Sequence, residues 1–487
     1  MVFSDLYFLF VFLPAFLLCY LLATGIDRLW GTKSREQGEQ KTFTARNWAI
    51  VGFSLIFYAW GEPVYVFLLL FCVLMNYLAG LVIDRMEQHR KAALVGGLTV
   101  NILILASFKY LGFLAQCLCD VGLTVPVPNI ALPIGISFYT FQSISYLIDV
   151  YRRESPVQRR FGGLLLYISM FPQLIAGPIV RYGTIAEEIH NRRVETKDMA
   201  DGLFRFLIGL GKKVIIANQL SELSDQFLTG SGLQELSMAG AWVGIVAFTL
   251  QIYFDFSGYS DMAIGLGRCL GFHFNENFRH PYCCDSITDF WRRWHISLGS
   301  FFRDYVYIPL GGNRQHQAVN ILVVWFLTGM WHGASWNFII WGVYFGIIVM
   351  AEKYTLLRVK DHIPAPLLHL YSMLLVITGW GIFYFDDFQQ MLVFFHAYFG
   401  LTATEADFVV ESALLNNFWL WVVAVLFCMP LREWMDKITD RYITPKKHGL
   451  ASTATLLLRV VVSAVILVLS TALLVGATNN AFIYTRF

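Results

Sequence analysis

Charged side chains are scarce: Asp, Glu, Lys and Arg make up 14% of the 487 residues, against about a quarter in soluble globular domains. A soluble fold that covers its surface with charge is thereby excluded. A charge imbalance is missing as well. The 36 basic and 34 acidic residues leave a formal net charge of +2, so the clustered basic surface that a nucleic-acid partner needs is absent. The eight cysteines lie within or beside apolar stretches, without the even, loop-borne spacing of a disulfide framework, and read as packed thiols. No P-loop, dinucleotide fingerprint or G-x-S-x-G elbow occurs, so ATP-driven transport and soluble-hydrolase chemistry lack support.

What fills the chain is apolar: 57% of its residues are hydrophobic. One crossing of a bilayer takes about 20 such residues, and suitable stretches recur from Phe3 to Ala477. The expectation is an all-α polytopic membrane protein, one integral domain over 1–487, with no separate soluble domain and no internal repeat. The first segment, Val2 to Thr24, has neither a basic n-region nor a small-residue cleavage site and reads as a retained span on a chain starting at Met1.

Charge orients the spans. Arg28, Lys33, Arg35, Lys41 and Arg46 crowd the first polar loop, and Arg85, Arg90 and Lys91 the second, which by the positive-inside rule puts both in the cytoplasm. Between them, Trp48 to Tyr58 and Pro63 to Ile83 read as two crossings or as a hairpin that dips and returns. Leu94 to Leu118 leads out, and Ile130 to Val150 returns to Arg152, Arg153, Arg159 and Arg160. Phe161 to Val180 carries Pro172, Gly177 and Pro178 and is flanked by arginines at both ends, including Arg181, Arg192 and Arg193. A re-entrant segment accounts for both features, and it implies a cavity, because non-helical backbone at membrane depth needs protein or water around it. Gly202 to Ile216 and Met238 to Phe256 cross next, before a polar, aromatic stretch from His273 to Gln317. Ala318 to Met350 is too long for one straight span and should be broken or strongly tilted. Leu367 to Phe385 exits to Glu405, Asp407 and Glu411, Leu414 to Cys428 re-enters to a cytoplasmic Arg432 to Lys447, and Leu456 to Val475 ends the series. Both termini are expected on the extracytoplasmic side.

His332 stands out within Leu327-Thr-Gly-Met-Trp-His-Gly-Ala-Ser-Trp-Asn337. As a continuous helix this segment would put Thr328, His332, Ser335 and Trp336 on one face. An intramembrane ionisable residue is costly and by default marks a pathway or reaction site, although a neighbouring helix can also satisfy a core histidine. Histidine is the side chain suited to accept a proton near neutral pH, as when a hydroxyl attacks an acyl carbon. A second cluster runs from Thr288 to Asp304. As a helix it would align Trp291, His295, Leu298 and Phe302, either as an amphipathic interfacial anchor or as part of a site.

Tyr139, Gln142, Tyr146, Asp149 and Arg153 form a polar stripe at helical spacing, and Asp255 and Asp261 bracket Gly258. These suit cavity-lining or scaffold roles. His273, His280, Cys283 and Cys284 match no regular zinc spacing, and no metal is expected.

At these residues the chain resembles the membrane-bound O-acyltransferase family, in particular its bacterial branch of alginate O-acetylation proteins. Six ordered blocks carry the resemblance: Leu132 to Phe138 leading to Asp149, Phe171 to Pro178, Phe254 to Asp261, Asp289 to Leu298, Tyr307 to Asn313 and Trp331 to Asn337. The ending, Phe482 to Phe487, is similar to that branch's aromatic tail, with departures at Thr485 and Arg486. The resemblance implies a thin membrane core with a central tunnel or funnel, His332 as catalytic histidine and His295 as the second polar residue of the active centre. It also implies transfer of an acetyl group from a cytoplasmic thioester, acetyl-CoA or an acyl carrier, towards an extracytoplasmic polysaccharide, with a separate extracytoplasmic acetyltransferase as partner. No bound cofactor is expected. On this reading Arg292, Arg293 and Arg303 hold the donor's phosphates, Tyr139, Gln142, Trp336 and Asn337 contact substrate, and His295 or Trp336 steadies the oxyanion.

Rival readings are a D-alanyl transferase, or a peptidoglycan or cellulose acetyltransferase, of the same family. From another class, a polysaccharide or lipid transporter would need the same spans and cavity but no particular histidine and no thiol release.

Overall fold

A computed structural model describes residues 2–36, 44–192, 194–405, 408–431, 433–434, 448–477 and 482. Among them the ordered elements are helical and no strand occurs. Among the described residues seven helices are long and apolar enough to cross a membrane, and Phe408–Leu415 with Phe418–Cys428, bent by 60°, makes an eighth if counted as one span. Lipid-length apolar runs fold this way because helices satisfy their backbone internally. Their hydroxyl residues do likewise: Thr24 donates to Tyr20 O at 2.8 Å and Thr471 to Leu467 O at 2.7 Å. Leu18, Leu22, Leu103 and Val468 are exposed on such helices, as lipid-facing side chains should be. Lys41, Arg193, Asp407, Arg432, the Asp436–Lys447 segment and the tail from Ile483 lie outside the described residues, and with them the expectations placed there.

The chain forms two compact units. The first comprises residues 2–206 and 259–275. Its core is aromatic: Phe171 meets Phe12, Phe16 and Phe57 at ring-centroid distances of 5.6, 5.1 and 5.5 Å. Phe171 belongs to the segment expected to be re-entrant, which is indeed broken into Phe161–Ser169, the single turn Phe171–Leu174 and non-helical backbone to Val180. Residues 163–180 are all buried, and side chains satisfy the broken backbone. Tyr167 Oη donates to Val180 O at 2.8 Å, Gln173 Nε2 to Tyr167 O at 2.5 Å, and Phe171 N to Ser54 Oγ at 3.0 Å.

The Trp60–Pro63 interruption separates two helices, Ala45–Gly61 and Tyr65–Arg85. Arg153 pairs with Glu87 at 2.9 Å and Arg159 with Asp84 at 3.7 Å, so the second and third basic clusters share one side, as the charge pattern required. Tyr139, Gln142 and Tyr146 are buried on Ile136–Arg152, while Arg153 leaves that helix at φ 62°.

The second unit comprises the described residues of 207–258 and 276–482. Within it Lys213 and Asp255 form a buried ion pair at 2.5 Å, their side chains 4% and 3% exposed. In the first unit Asp261 is held by Arg205 at 2.7 Å. The two aspartates that bracket Gly258 thus each have a cation of their own, which fits the scaffold alternative of the two expected for them.

One expected break is found, and one expected helix is corrected. The 318–350 stretch is a hairpin, Gln317–His332 and Trp336–Tyr354. Its arms are antiparallel and pack through glycines: a Cβ on Gly329 would strike Phe338 O, and one on Gly342 would strike Trp325 O and lie 3.1 Å from Gly329 Cα. Thr328 and His332 therefore do not share a helical face with Ser335 and Trp336. The 288–304 stretch is also broken, into Ile287–Arg293 and Ile296–Phe302, with His295 between them at φ 44°, ψ 53°. Trp291 and His295 are not on one continuous helix.

Candidate active site

Both histidines singled out by sequence lie in the second unit, each at a helix break. His332 is the last residue of its helix, and Gly333 continues in extended backbone. Its side chain is buried in an aromatic box. Trp331, Trp341 and Phe383 stand 4.8, 4.9 and 5.2 Å from the imidazole, the last two edge-on at 79° and 84°. Aromatic walls exclude water and lower the local dielectric, which strengthens each remaining polar interaction.

The hairpin turn is tied to this box. Ser335 Oγ donates to Asn337 Oδ1 at 2.5 Å, and Asn337 Nδ2 donates to Phe383 O at 3.3 Å. Asn337 is therefore bonded to the backbone of a residue that walls His332. Trp336, the next helix's first residue, is 58% exposed.

His295 is 2% exposed. Burial disfavours its charged form and pushes its pKa down to about 3, so the imidazole is neutral. Its left-handed backbone is uncommon for a residue with a side chain, and a tertiary clamp imposes it. Ile296 N donates to Asn277 O at 3.0 Å, and Ser297 N and Oγ donate to Asn277 Oδ1 at 3.1 and 2.9 Å. His295 Nδ1 lies 3.2 Å from the same oxygen. Phe256 packs edge-on against the His295 ring at 4.6 Å. Trp331 joins the two histidines, its indole 5.7 Å from His295 and 4.8 Å from His332. The two buried imidazoles thus flank one indole.

The other sequence candidates have partners or places of their own. Arg292 is exposed, Arg293 Nε is 2.9 Å from Asp289 Oδ2, and Arg303 Nε is 2.6 Å from Asp304 Oδ1. Tyr139 and Gln142 belong to the first unit. His280 Nδ1 and Cys283 Sγ both approach Cys428 O, at 3.3 and 3.6 Å, and His273 pairs with Glu188 at 2.6 Å.

Sequence reasoning passed over Asn277, Ser297 and Glu352. Glu352 is 1% exposed and accepts from Ile287 N and Thr288 N at 2.7 Å each and from Thr288 Oγ1 at 2.6 Å. It caps the short helix that leads to His295. A carboxylate within an apolar run was the available signal.

Comparison with known proteins agrees with this architecture. Residues 55–395 match the family described as MBOAT, membrane-bound O-acyltransferase. A probable alginate O-acetylase of Pseudomonas aeruginosa is 40% identical over 410 residues, covering 82% of this chain and 75% of the relative. A peptidoglycan O-acetyltransferase of Helicobacter pylori is 32% identical over 449 residues, 85% of this chain and 82% of its own. A teichoic acid D-alanyltransferase of Bacillus subtilis is 26% identical over 248 residues, 47% of this chain and 61% of its own. The chain belongs to the membrane-bound O-acyltransferase family and is an O-acyltransferase.

Proposed function

We propose that the protein takes an acetyl group from a cytoplasmic thioester, acetyl-CoA, and passes it across the membrane for O-acetylation of an extracytoplasmic polysaccharide such as alginate, with His332 as catalytic base. The observation that carries this reading is the burial of His332 at a helix break, inside an aromatic box and one indole away from His295. The likeness to an alginate O-acetylase over most of the chain supports acetyl as the acyl group.

The chemistry balances simply. An acceptor hydroxyl oxygen attacks the thioester carbonyl carbon while His332 takes the hydroxyl proton. The tetrahedral oxyanion collapses, the carbon–sulfur bond breaks with its electron pair on sulfur, and the proton passes from imidazolium to the thiolate. The products are an acetyl ester and free CoA thiol. A water-poor box suits this sequence, because water would otherwise compete for the acyl group. The protein then sits in the inner membrane with both termini extracytoplasmic, beside an extracytoplasmic acetyltransferase that completes transfer to the polymer.

Similarity over 85% of the chain to a peptidoglycan O-acetyltransferase favours one second reading, the same donor with a different acceptor. The test is thiol release from acetyl-CoA by purified protein in lipid with its acceptor partner. Wild type should release CoA and His332→Ala should not, with both proteins folded. Equal release would remove His332 as the base, and no release from either would point to a carrier-bound donor.

A further inference from the structure

We infer that Asn277 fixes the tautomer of His295, holding the proton on Nδ1 and leaving Nε2 as the nitrogen that accepts. Asn277 is a positioning residue, acting through His295, and its value for catalysis rests on the acyl-transfer reading above.

The argument begins with an atom whose identity is settled by its neighbours. An asparagine amide can be placed either way round, and oxygen is told from nitrogen by the hydrogen bonds each must make. Here the Ser297 backbone N–H points at the Asn277 side chain at 3.1 Å. A backbone N–H can only donate, so the atom it meets is the oxygen. Ser297 Oγ lies 2.9 Å from that oxygen and donates to it as well.

His295 Nδ1 stands 3.2 Å from the same Oδ1. Were Nδ1 unprotonated, its lone pair would face an oxygen lone pair inside a buried site, a repulsion with no water to relieve it. With a proton on Nδ1 the contact is a hydrogen bond. Ser297 Oγ is the competing partner for Nδ1, but at 3.4 Å it is farther from Nδ1 than from Asn277 Oδ1. In a neutral imidazole, a proton on Nδ1 makes Nε2 the acceptor. The same device orients metal-ligating and catalytic histidines generally, through the bond made by the nitrogen that does not react.

A consequence follows for the division of labour. Nε2 without a proton cannot donate to a developing oxyanion, so His295 belongs with the groups that receive a hydrogen from the acyl acceptor or from a neighbouring donor. The oxyanion needs another donor. Asn277 also fixes where the ring stands, because its backbone carbonyl holds Ile296 N at 3.0 Å and so fastens the backbone that follows the left-handed residue.

The experiment is nitrogen-15 NMR of histidine-labelled protein in lipid bilayers at pH 7.5, with the His295 signals identified by their disappearance in His295→Gln. Wild type should show a protonated Nδ1 and an unprotonated Nε2. Asn277→Asp, which keeps an acceptor oxygen at that place, should preserve the pattern. Asn277→Leu should lose it, and the turnover number should fall several-fold while KM for acetyl-CoA stays nearly constant. A proton on Nε2 in the wild type would overturn the inference, as would an unchanged tautomer in Asn277→Leu. Should Asn277→Leu fail to fold, wild type and Asn277→Asp still decide. The tautomer is read without turnover, so loss of the acetyl-CoA assignment would leave this result standing, and the reverse also holds.

Discussion

Glu352 holds Thr288 by two bonds at once, accepting from its backbone N–H at 2.7 Å and from its hydroxyl at 2.6 Å. Glu352 lies on the helix that follows the His332 break, and Thr288 lies in the first turn of the helix that leads to His295. One buried carboxylate therefore sets the distance between the two histidine segments. Glu352→Ala would leave two backbone N–H groups and a hydroxyl without it in a dry site, a loss of about 3 kcal/mol. The expected outcome is a lower melting temperature in lipid and acyl transfer reduced more than tenfold. Glu352→Gln, which keeps one acceptor oxygen, should fall between that variant and wild type. Thermal unfolding with acetyl-CoA turnover on the same preparations checks the order.

The hairpin that presents His332 depends on backbone-to-backbone contact. Gly342→Ala would push a methyl group against Trp325 O and the Gly329 backbone, atoms that cannot rotate away. Overpacking of this kind costs about 1–3 kcal/mol, and the arms must separate, which moves the His332 end. Gly52→Ala is the control, because nothing lies within 4 Å of the added carbon and alanine favours a helix interior by up to about 1 kcal/mol. Melting temperatures should move in opposite directions for the two variants. A neutral Gly342→Ala would mean the arms are free to adjust.

Acid should weaken the fold through His295. Its pKa is depressed by burial from 6.5 to about 3, so between those values the unfolded chain binds a proton that the folded chain does not. Stability tied to this group is fully present above about pH 6.5 and is lost as pH falls toward 3. The difference in melting temperature between wild type and His295→Gln should hold level from pH 7.5 to about 6.5 and shrink from there down to pH 4.5. A difference that stays constant would show that His295 is not held neutral.

How much of this could be read from sequence depends on the range of the cause. Spans were legible because lipid-length apolar runs decide them locally, and the interruption at Pro172, Gly177 and Pro178 was legible because those residues break helices wherever they occur. His332 was legible by the cost of an imidazole in an apolar segment, and His295 by its place among aromatic and arginine residues, a pattern that an interfacial anchor shares. The turn at His295 was not, because its left-handed backbone is imposed by Asn277, 18 residues upstream. Nothing in the 288–304 pattern carries that information. The hairpin was half legible: the length and glycines of the 318–350 stretch announced a break, but only the meeting of Gly329 with Gly342 shows that the chain turns straight back. Glu352 was passed over because its role depends on partners 64 and 65 residues away.

The three arginines proposed for the donor's phosphates are not equally placed to bind them. Arg303 already grips Asp304 through Nε at 2.6 Å and Nη2 at 3.1 Å, and Arg293 is committed to Asp289 at 2.9 Å. A phosphate recruiting either would have to displace a carboxylate, and most of the gain would be spent on that exchange. Arg292 is exposed and can offer its guanidinium fork, which matches phosphate geometry. Arg292→Gln should therefore raise KM for acetyl-CoA on the order of threefold to tenfold, with little change in turnover number. Arg293→Gln and Arg303→Gln should have smaller effects. The Arg292 effect should diminish as salt is raised, because exposed charges are screened. An equal KM in the Arg292→Gln, Arg293→Gln double variant would remove this surface from donor binding altogether, and the phosphates would have to be held by other groups.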